Sequence, residues 1–220
     1  PIKSSAASDV YKRQLLDGVA QTEESKQRYL RTIRTKAEDI DRLVSQLFLY
    51  SKLDLEGDPM EMRPIRLDEF VAGFVEEAAL DSRTRGLEIT AEQLALVTVS
   101  ADPEQLRRVL SNILENSIKY KAKETGRLRI TLEESGRLTL ADDGPGVPEE
   151  ALPKLFDVFY RSDPARKNPA GGSGLGLAIA AKAVQGMGGT IRARSGPHGG
   201  LAIEITLSKE EACNAENPDR

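Results

Sequence analysis

NILENSIKY, residues 112–120, is the most informative stretch of the 220-residue chain. It continues a helical pattern that begins at Asp102-Pro103, where a carboxylate cap precedes a proline at the first helical position. Four-residue spacing places the side chains of Asn112 and Asn116 on one stripe of the predicted helix, with Lys119 one turn further along. Two amide oxygens and an ammonium group would then face one pocket.

Neutral amide oxygens suit magnesium, a hard cation that keeps water and phosphate oxygens in its coordination shell. An asparagine in this position could hold the metal without repelling a triphosphate. The alternative is that these are ordinary exposed asparagines on a helix, without a function. The buried face of the same helix is predicted to consist of Leu106, Val109, Leu110, Ile113 and Leu114.

A second signal stands at the end of a predicted strand and consists of Asp142-Asp143-Gly144-Pro145-Gly146. A carboxylate fixed there can accept a hydrogen bond from an amino group such as that of adenine. The glycines would let the backbone approach the ring. An ordinary turn is the alternative, because Asp-Gly and Gly-Pro steps form turns routinely.

A third signal is the glycine-rich stretch Gly171–Leu177, which runs into a helix predicted over Ala178–Met187. Glycines ahead of a helix expose backbone amides at the positive end of its dipole, where phosphate binds. The stretch lacks the lysine and hydroxyl of a P-loop and does not follow a strand, as a Rossmann fingerprint would. A flexible linker is the alternative. The long connection 147–170, with a short helix predicted at Glu149–Phe156, is expected to form a lid.

Alternating apolar and polar residues predict the strands around these signals. They are expected at Leu87–Ala91, Leu96–Ser100, Arg127–Leu132, Leu138–Leu140, Thr190–Arg194 and Leu201–Leu207, with an amphipathic helix at Asp68–Arg83. Because most of these strands are linked as hairpins, we expect an antiparallel or mixed sheet with helices on one side.

The N-terminal part has a different character. Apolar residues recur in steps of three and four from Thr22 to Leu53, which predicts a long helix that packs in a bundle with another helix or chain. A helix internal to one globular domain is the alternative. Residues 1–14 lack periodicity, and Asp9–Gln14 resembles the translation of a transposon end used in sequencing libraries, so we expect a non-native leader.

The amino-acid composition argues against several classes of function. The net charge of −4 argues against a nucleic-acid partner, which normally meets a basic face. Cys213 is the only cysteine, so we expect neither an internal disulfide nor a thiolate metal cluster, and a cytoplasmic setting fits. We find no apolar run near the roughly 18 residues needed to span a bilayer.

Taken in order, the signals resemble the catalytic ATP-binding domain of sensor histidine kinases, over residues 66–208. Asn112–Tyr120 matches the N box of that family, and Asp142–Gly146 its first glycine box. Leu155–Arg161, which reads LFDVFYR, matches its F box, and Gly172–Leu177 its second glycine box. Four boxes in the family's order make the match specific.

The resemblance implies an α+β two-layer sandwich of the Bergerat type, preceded by a helical-hairpin or bundle segment. It implies ATP and Mg²⁺ as ligands, and transfer of the terminal phosphoryl group to a histidine and then to a response-regulator receiver domain. Catalytic roles are implied for Asn116, which would hold Mg²⁺, for Lys119, and for Arg161 in the lid region. Asp142 would contact adenine. The full set of implied nucleotide-binding residues is Asn112, Asn116, Lys119, Tyr120, Asp142, Gly144, Gly146, Phe156, Gly172, Ser173, Gly174, Leu175, Gly176 and Leu177.

The expected organisation has five segments. They are a leader at 1–14, a partial dimerisation and histidine-phosphotransfer segment at 15–56, a linker at 57–66, the catalytic ATP-binding domain at 67–208 and a polar tail at 209–220. The family's Ser-His-Glu-Leu-Arg-Thr-Pro motif does not occur upstream of Leu15, and His198 stands in a predicted hairpin. We therefore expect the chain to bind ATP without phosphorylating itself. The resemblance also implies a homodimer formed through the helical segment. It further implies a parent protein in the bacterial membrane, with this part in the cytoplasm.

Two other functions stay open at this point. One is a regulatory module in which nucleotide controls dimer pairing without any phosphoryl transfer. The other is a related ATPase, such as an anti-sigma serine kinase or a mismatch-repair ATPase. The long helix joined directly to the domain disfavours this last class.

Overall fold

The computed structural model describes residues 22–54, 60–121, 124–162, 173–197 and 199–210. The chain divides into two compact units, residues 1–49 and 50–220, which are described separately. No helix in the described ranges is both long and apolar enough to cross a membrane. The predicted leader at 1–14 and the predicted helix end at Leu15–Gly18 lie outside the described residues.

The first unit contributes a single described helix, α1 (Glu23–Asp54), whose last five residues belong to the second unit. Its bounds agree with the predicted range to within one residue at each end. Its start is stabilised by Thr22, whose Oγ1 accepts a hydrogen bond from Ser25 N at 3.2 Å. Six apolar side chains of the helix are exposed, namely Leu30, Ile40, Leu43, Val44, Leu47 and Phe48, with exposed fractions from 39% to 72%. The predicted seam is thus largely uncovered in the described part of the chain.

The second unit contains most of the regular structure. In chain order its elements are β1 (Arg63–Arg66), α2 (Leu67–Leu80), β2 (Leu87–Leu94), β3 (Thr98–Ala101), α3 (Pro103–Tyr120), β4 (Gly126–Leu132), β5 (Arg137–Asp142), α4 (Gly176–Gly186), β6 (Thr190–Ser195) and β7 (Leu201–Thr206). Two short 3₁₀ helices lie at Ser82–Thr84 and Glu149–Lys154.

Five of the strands form one mixed sheet in the order β2-β4-β5-β7-β6. The β2-β4 pair is parallel, and the pairs β4-β5, β5-β7 and β7-β6 are antiparallel. This arrangement confirms the predicted mixed sheet. The antiparallel pairs β4-β5 and β7-β6 join consecutive strands, as the predicted hairpins require, whereas β5 and β7 are distant in sequence.

The sheet buries one face against the helices. Along β4, Leu128, Ile130 and Leu132 are buried, whereas Arg127 and Arg129 are exposed on the opposite face. The buried strand residues share one core with apolar side chains of α2, α3 and α4. On α3 all five residues of the predicted stripe are buried: Leu106, Val109, Leu110, Ile113 and Leu114. The predicted two-layer sandwich is confirmed.

A small second sheet was not predicted. Its strand β1 lies inside the segment expected to be a linker, 57–66, and pairs antiparallel with β3. Pro64 is compatible with such a strand because a two-stranded sheet leaves edge positions where no N–H is needed. The other edge of β3 is used as well, since Ser100 N donates to Ser208 O and Glu210 N donates to Thr98 O, each at 3.1 Å. The first residues of the expected polar tail are therefore ordered.

The predicted helix at Glu149–Phe156 is instead the 3₁₀ helix Glu149–Lys154. Pro153 lacks the N–H that an α-helical turn would use at that position, which favours the shorter element. Similarly, the helix predicted over Asp68–Arg83 ends at Leu80, where Thr84 Oγ1 donates to Ala78 O at 2.9 Å.

Candidate functional site

The start of α3 is fixed by Asp102, which is 7% exposed. Its Oδ1 accepts hydrogen bonds from Glu104 N at 2.9 Å and Gln105 N at 3.1 Å, as an N-cap does. Its Oδ2 accepts a third from Glu61 N at 3.0 Å. All three donors are backbone amides, so this carboxylate has a structural role: it fixes the start of the helix that carries the asparagines and holds the segment just before β1 against it.

The middle of α3 meets the start of α4. A Cβ atom on Gly176, the first residue of α4, would lie 3.6 Å from Asn112 Oδ1. Asn116 lies one turn further along α3 on the same stripe. The N-cap residue of α4, Leu175, is fully buried and offers no side-chain hydrogen bond to the first turn. The first amides of α4 therefore remain available to an anion beside the asparagine stripe.

Asp142, at the end of β5, lies against the side of α3. Its Oδ1 accepts hydrogen bonds from Gly144 N and Leu201 N, each at 3.0 Å. Its Oδ2 lies 3.4 Å from Ser117 Oγ on α3. Burial raises the pKa of Asp142 above that of an ordinary aspartate, although the hydrogen bonds oppose the shift. The carboxylate is thus held by one oxygen, while the other is oriented toward α3 with accepting capacity left.

The glycines around Asp142 are required by close backbone approaches. A Cβ on Gly144 would lie 3.1 Å from Tyr120 O at the end of α3. Gly146 has φ of +66°, and a Cβ there would collide with the carbonyl oxygen of Gly199. A Cβ on Gly200 would collide with the backbone of Asp142. The Asp142–Gly146 loop and the β6-β7 turn therefore pack backbone against backbone.

The predicted F box, which lies within the predicted lid at 147–170, contacts the second glycine box, which follows that segment. Phe159 N donates to Gly174 O at 3.1 Å, and a Cβ on Gly174 would lie 2.8 Å from the carbonyl carbon of Phe159. Both residues have positive φ, +64° for Phe159 and +73° for Gly174. Beside them, Ser173 Oγ accepts a hydrogen bond from Leu175 N at 3.1 Å. Residues 163–172, which include Gly172, lie outside the described residues.

The remaining predicted site residues are less closely tied to this geometry. Lys119 Nζ lies 5.1 Å from the centroid of the Tyr120 ring, and Tyr120 is 36% exposed. Phe156 packs, partly buried, against the core of the sandwich. Arg161 Nε is buried and makes no hydrogen bond with the described residues. Leu177, on the first turn of α4, is buried. His198 lies outside the described residues.

Three contributors to the site were not predicted: Ser117, Gly200 and the amide of Leu201. Ser117 stands within the quoted stretch 112–120, but a serine inside a helix gives no signal of its own. The pair Gly199-Gly200 directly before β7 was the available sign of a close backbone approach.

A magnesium ion with phosphate ligands needs few protein ligands, and neutral oxygens suffice. In the described ranges, no group of three or more His, Cys, Asp or Glu side chains could hold a metal ion. Asn112, beside the start of α4, and Asn116, one turn further along α3, are half-buried and fit a metal that arrives with a triphosphate and is held mainly by it.

Comparison with known proteins agrees with this arrangement. The family model described as "Histidine kinase-, DNA gyrase B-, and HSP90-like ATPase" matches residues 101–211, which include α3, Asp142 and α4. The chain belongs to this family. Within it, the second unit is an ATP-binding domain of the sensor histidine kinase type.

Two curated relatives support the assignment to the sensor histidine kinase type. The signal transduction histidine-protein kinase BaeS of Escherichia coli strain K12 is 38% identical over 136 residues, which cover 60% of this chain and 29% of BaeS. The sensor protein kinase WalK of Staphylococcus epidermidis is 32% identical over 207 residues, which cover 91% of this chain and 33% of WalK. The chain thus spans about a third of the length of these relatives.

A solved structure gives the same result. The mycobacterial sensor histidine kinase MprB is 29% identical and superposes with a TM-score of 0.57, covering 68% of this chain and 100% of the MprB chain. The fold predicted from the four boxes is therefore the fold of this family.

Proposed function

We propose that this chain is the core of a sensor histidine kinase that binds ATP with Mg²⁺ and passes the terminal phosphoryl group to a histidine. A response-regulator receiver domain would then take it from the histidine. The observation that carries the proposal is the arrangement of Asp142, anchored through Oδ1 by two backbone amides and lying beside a helix that carries two asparagines.

Different residues of the chain would bind different parts of the nucleotide and its metal. Asp142 Oδ2 would accept a hydrogen bond from the amino group of adenine. The amides of α4, from Gly176 onward, would bind phosphate oxygens, and the amide oxygens of Asn116 and Asn112 would face the metal. When bound, Mg²⁺ would neutralise charge on the phosphates, which provides much of the stabilisation of a phosphoryl-transfer transition state.

Cations on the chain would add to that charge neutralisation. Lys119 is one turn beyond Asn116 along α3. Arg161 supplies the stronger argument, because its buried Nε–H meets no acceptor in the described part of the chain, and an unsatisfied buried donor costs free energy. A phosphate oxygen of the nucleotide would provide the acceptor. We therefore assign Lys119 and Arg161 to the phosphates.

The exposed stripe of α1 supports a homodimer formed through this helix. A soluble helix that leaves Val44, Leu47 and Phe48 at least half exposed gains free energy by packing them against another helix. In the parent protein we place this part on the cytoplasmic side of the bacterial membrane, where response regulators are found.

A titration with a fluorescent ATP analogue, with and without Mg²⁺, tests the site. We expect micromolar binding that Mg²⁺ strengthens, and we expect Asn116→Ala to abolish the strengthening while leaving the Mg²⁺-free affinity within about twofold. Ser111→Ala, on the same helix, is the matched control. A folded wild-type chain that does not bind the analogue would overturn the proposal.

Transfer is tested with ATP labelled at the terminal phosphate. We propose that the 220 residues alone do not become labelled, because His198 is their only histidine and stands in a Gly-Pro-His-Gly-Gly stretch. A helical hairpin that carries the Ser-His-Glu-Leu-Arg-Thr-Pro motif, added to the chain, should become labelled in the presence of Mg²⁺. ATP binding without any labelling of the added hairpin would favour the non-catalytic regulatory module instead.

A further inference from the structure

Ser117 occupies a position on α3 that the function proposed above does not use. The residue is 2% exposed, and its Oγ has two acceptors within reach. These are Ile113 O at 3.2 Å, one turn earlier on the helix, and Asp142 Oδ2 at 3.4 Å. A serine hydroxyl carries one proton, so it can donate to only one of them at a time.

The two oxygens of Asp142 differ in the acceptor capacity that remains. A carboxylate oxygen has two lone-pair sites, and both sites of Oδ1 are used by the amides of Gly144 and Leu201. Oδ2 meets only the Ser117 hydroxyl among the described residues. A ligand amino group must therefore bind at Oδ2, next to the serine.

The carbonyl oxygen of Ile113 is the weaker of the two acceptors for the hydroxyl proton of Ser117. Within α3 that carbonyl already accepts the helical hydrogen bond from the amide of residue 117. A hydrogen bond from a hydroxyl to an ionised carboxylate is stronger than one to a neutral carbonyl. Donation to Oδ2 would also fix the plane of the Asp142 carboxylate at its otherwise unanchored oxygen.

We propose that Ser117 is a specificity-determining positioning residue, whose hydroxyl donates to Asp142 Oδ2 and aims its second lone pair at the exocyclic amino group of the purine. The proposal rests on the proposed function, since it assigns the base selectivity of the same site. Ser117 acts through Asp142 and does not itself touch the nucleotide. Burial raises the pKa of Asp142, and the hydrogen bond from Ser117 opposes that rise, which is consistent with this role.

The test compares two triphosphates that differ only in the group being recognised. ATP carries the 6-amino group, and purine riboside triphosphate has hydrogen in its place. We expect Ser117→Ala to weaken ATP binding about fivefold and to leave the affinity for purine riboside triphosphate within twofold, so that the ratio of the two dissociation constants falls. Ser111→Ala, a serine on the same helix, should leave the ratio unchanged.

The same substitution in an Asp142→Asn variant tests whether Ser117 acts through the Asp142 carboxylate. In Asp142→Asn, adding Ser117→Ala should change neither dissociation constant by more than about twofold, because the group it orients is gone. Equal weakening of both nucleotides by Ser117→Ala, or no change in either, would overturn the assignment of Ser117 while leaving the proposed function intact. Failure of the wild-type chain to bind either triphosphate would overturn both.

Discussion

Two aspartates differ in how the chain uses their carboxylate oxygens: Asp102, buried at the start of α3, and Asp142, half-buried at the end of β5. Asp102 accepts three backbone amides, two through Oδ1 and one through Oδ2, so both its oxygens serve the chain. Asp142 accepts two backbone amides, both through Oδ1, and leaves Oδ2 with the hydroxyl of Ser117 at 3.4 Å. This unequal distribution of hydrogen-bond partners distinguishes the carboxylate proposed to face the ligand from the structural one.

The difference has an energetic counterpart. Burial raises the pKa of Asp142, so its ionised form is held at some cost to the native state. Such a cost is typical of a functional position, where the native state is not arranged for maximal stability. We therefore expect changes at Asp102 to lower stability and changes at Asp142 to lower nucleotide affinity.

The largest expected effect on stability is at the loop that supports Asp142. Gly146→Ala would place a Cβ at φ of +66° and against Gly199 O, and we expect it to lower the free energy of unfolding by about 3 kcal/mol. Gly188→Ala is the control: φ is +71° but no atom lies within 4 Å of the added Cβ, so the loss should be about 1 kcal/mol. Urea denaturation measures both. Equal losses in the two variants would show that the contact with Gly199 contributes nothing.

Removing the structural carboxylate comes next. Asp102→Ala leaves Glu61 N and the first amides of α3 without their acceptor, and should lower the free energy of unfolding by about 2 kcal/mol. Asp102→Asn keeps an oxygen for the helix cap but loses the acceptor for Glu61 N, so it should lose about half as much. At a temperature where each variant is folded, the dissociation constant for ATP should stay within about twofold of the wild type. A tenfold rise would contradict the division between the two aspartates.

A smaller effect is expected in the pH dependence of stability. Because the folded-state pKa of Asp142 lies above its unfolded value, the wild type carries an unfavourable buried charge above the folded pKa and is relieved of it as the pH falls through that pKa. Asp142→Asn should therefore be more stable than the wild type at pH 7. Its advantage should shrink as the pH is lowered toward 4. Urea denaturation at a series of pH values measures this, and an advantage that grew on acidification would have the wrong sign.

The contrast between the aspartates also shows what the sequence could predict. The cap at Asp102 and the buried stripe of α3 were predicted because they depend on residues two to four positions apart. The role proposed for Asp142, which stays a prediction, came from the glycines that follow it and from the order of the four boxes. By contrast, its hydrogen bond from Leu201 N joins residues 59 positions apart and depends on the β5-β7 pairing, which local sequence does not specify.

The same distinction between local and long-range contacts explains the other differences between the sequence-based prediction and the structure. Strand β1 has four residues, one of them Pro64, and is formed only because β3 offers it an edge. Ser117 gives no periodic signal, and only the approach of β5 to α3 brings it to Asp142. On α1 the seam was predicted correctly as a helical stripe, but periodicity does not say which surface covers it.

The most direct test is a calorimetric titration of Mg²⁺-ATP into three proteins: wild type, Asp142→Asn and Asp102→Asn. The account predicts that Asp142→Asn weakens ATP binding about 30-fold, because a charged acceptor is lost, while Asp102→Asn binds within about twofold of the wild type. Denaturation of the same samples should give the opposite order, with Asp102→Asn the less stable variant. Wild-type affinity for ATP in Asp142→Asn would contradict the central claim that this carboxylate is where the chain recognises its nucleotide.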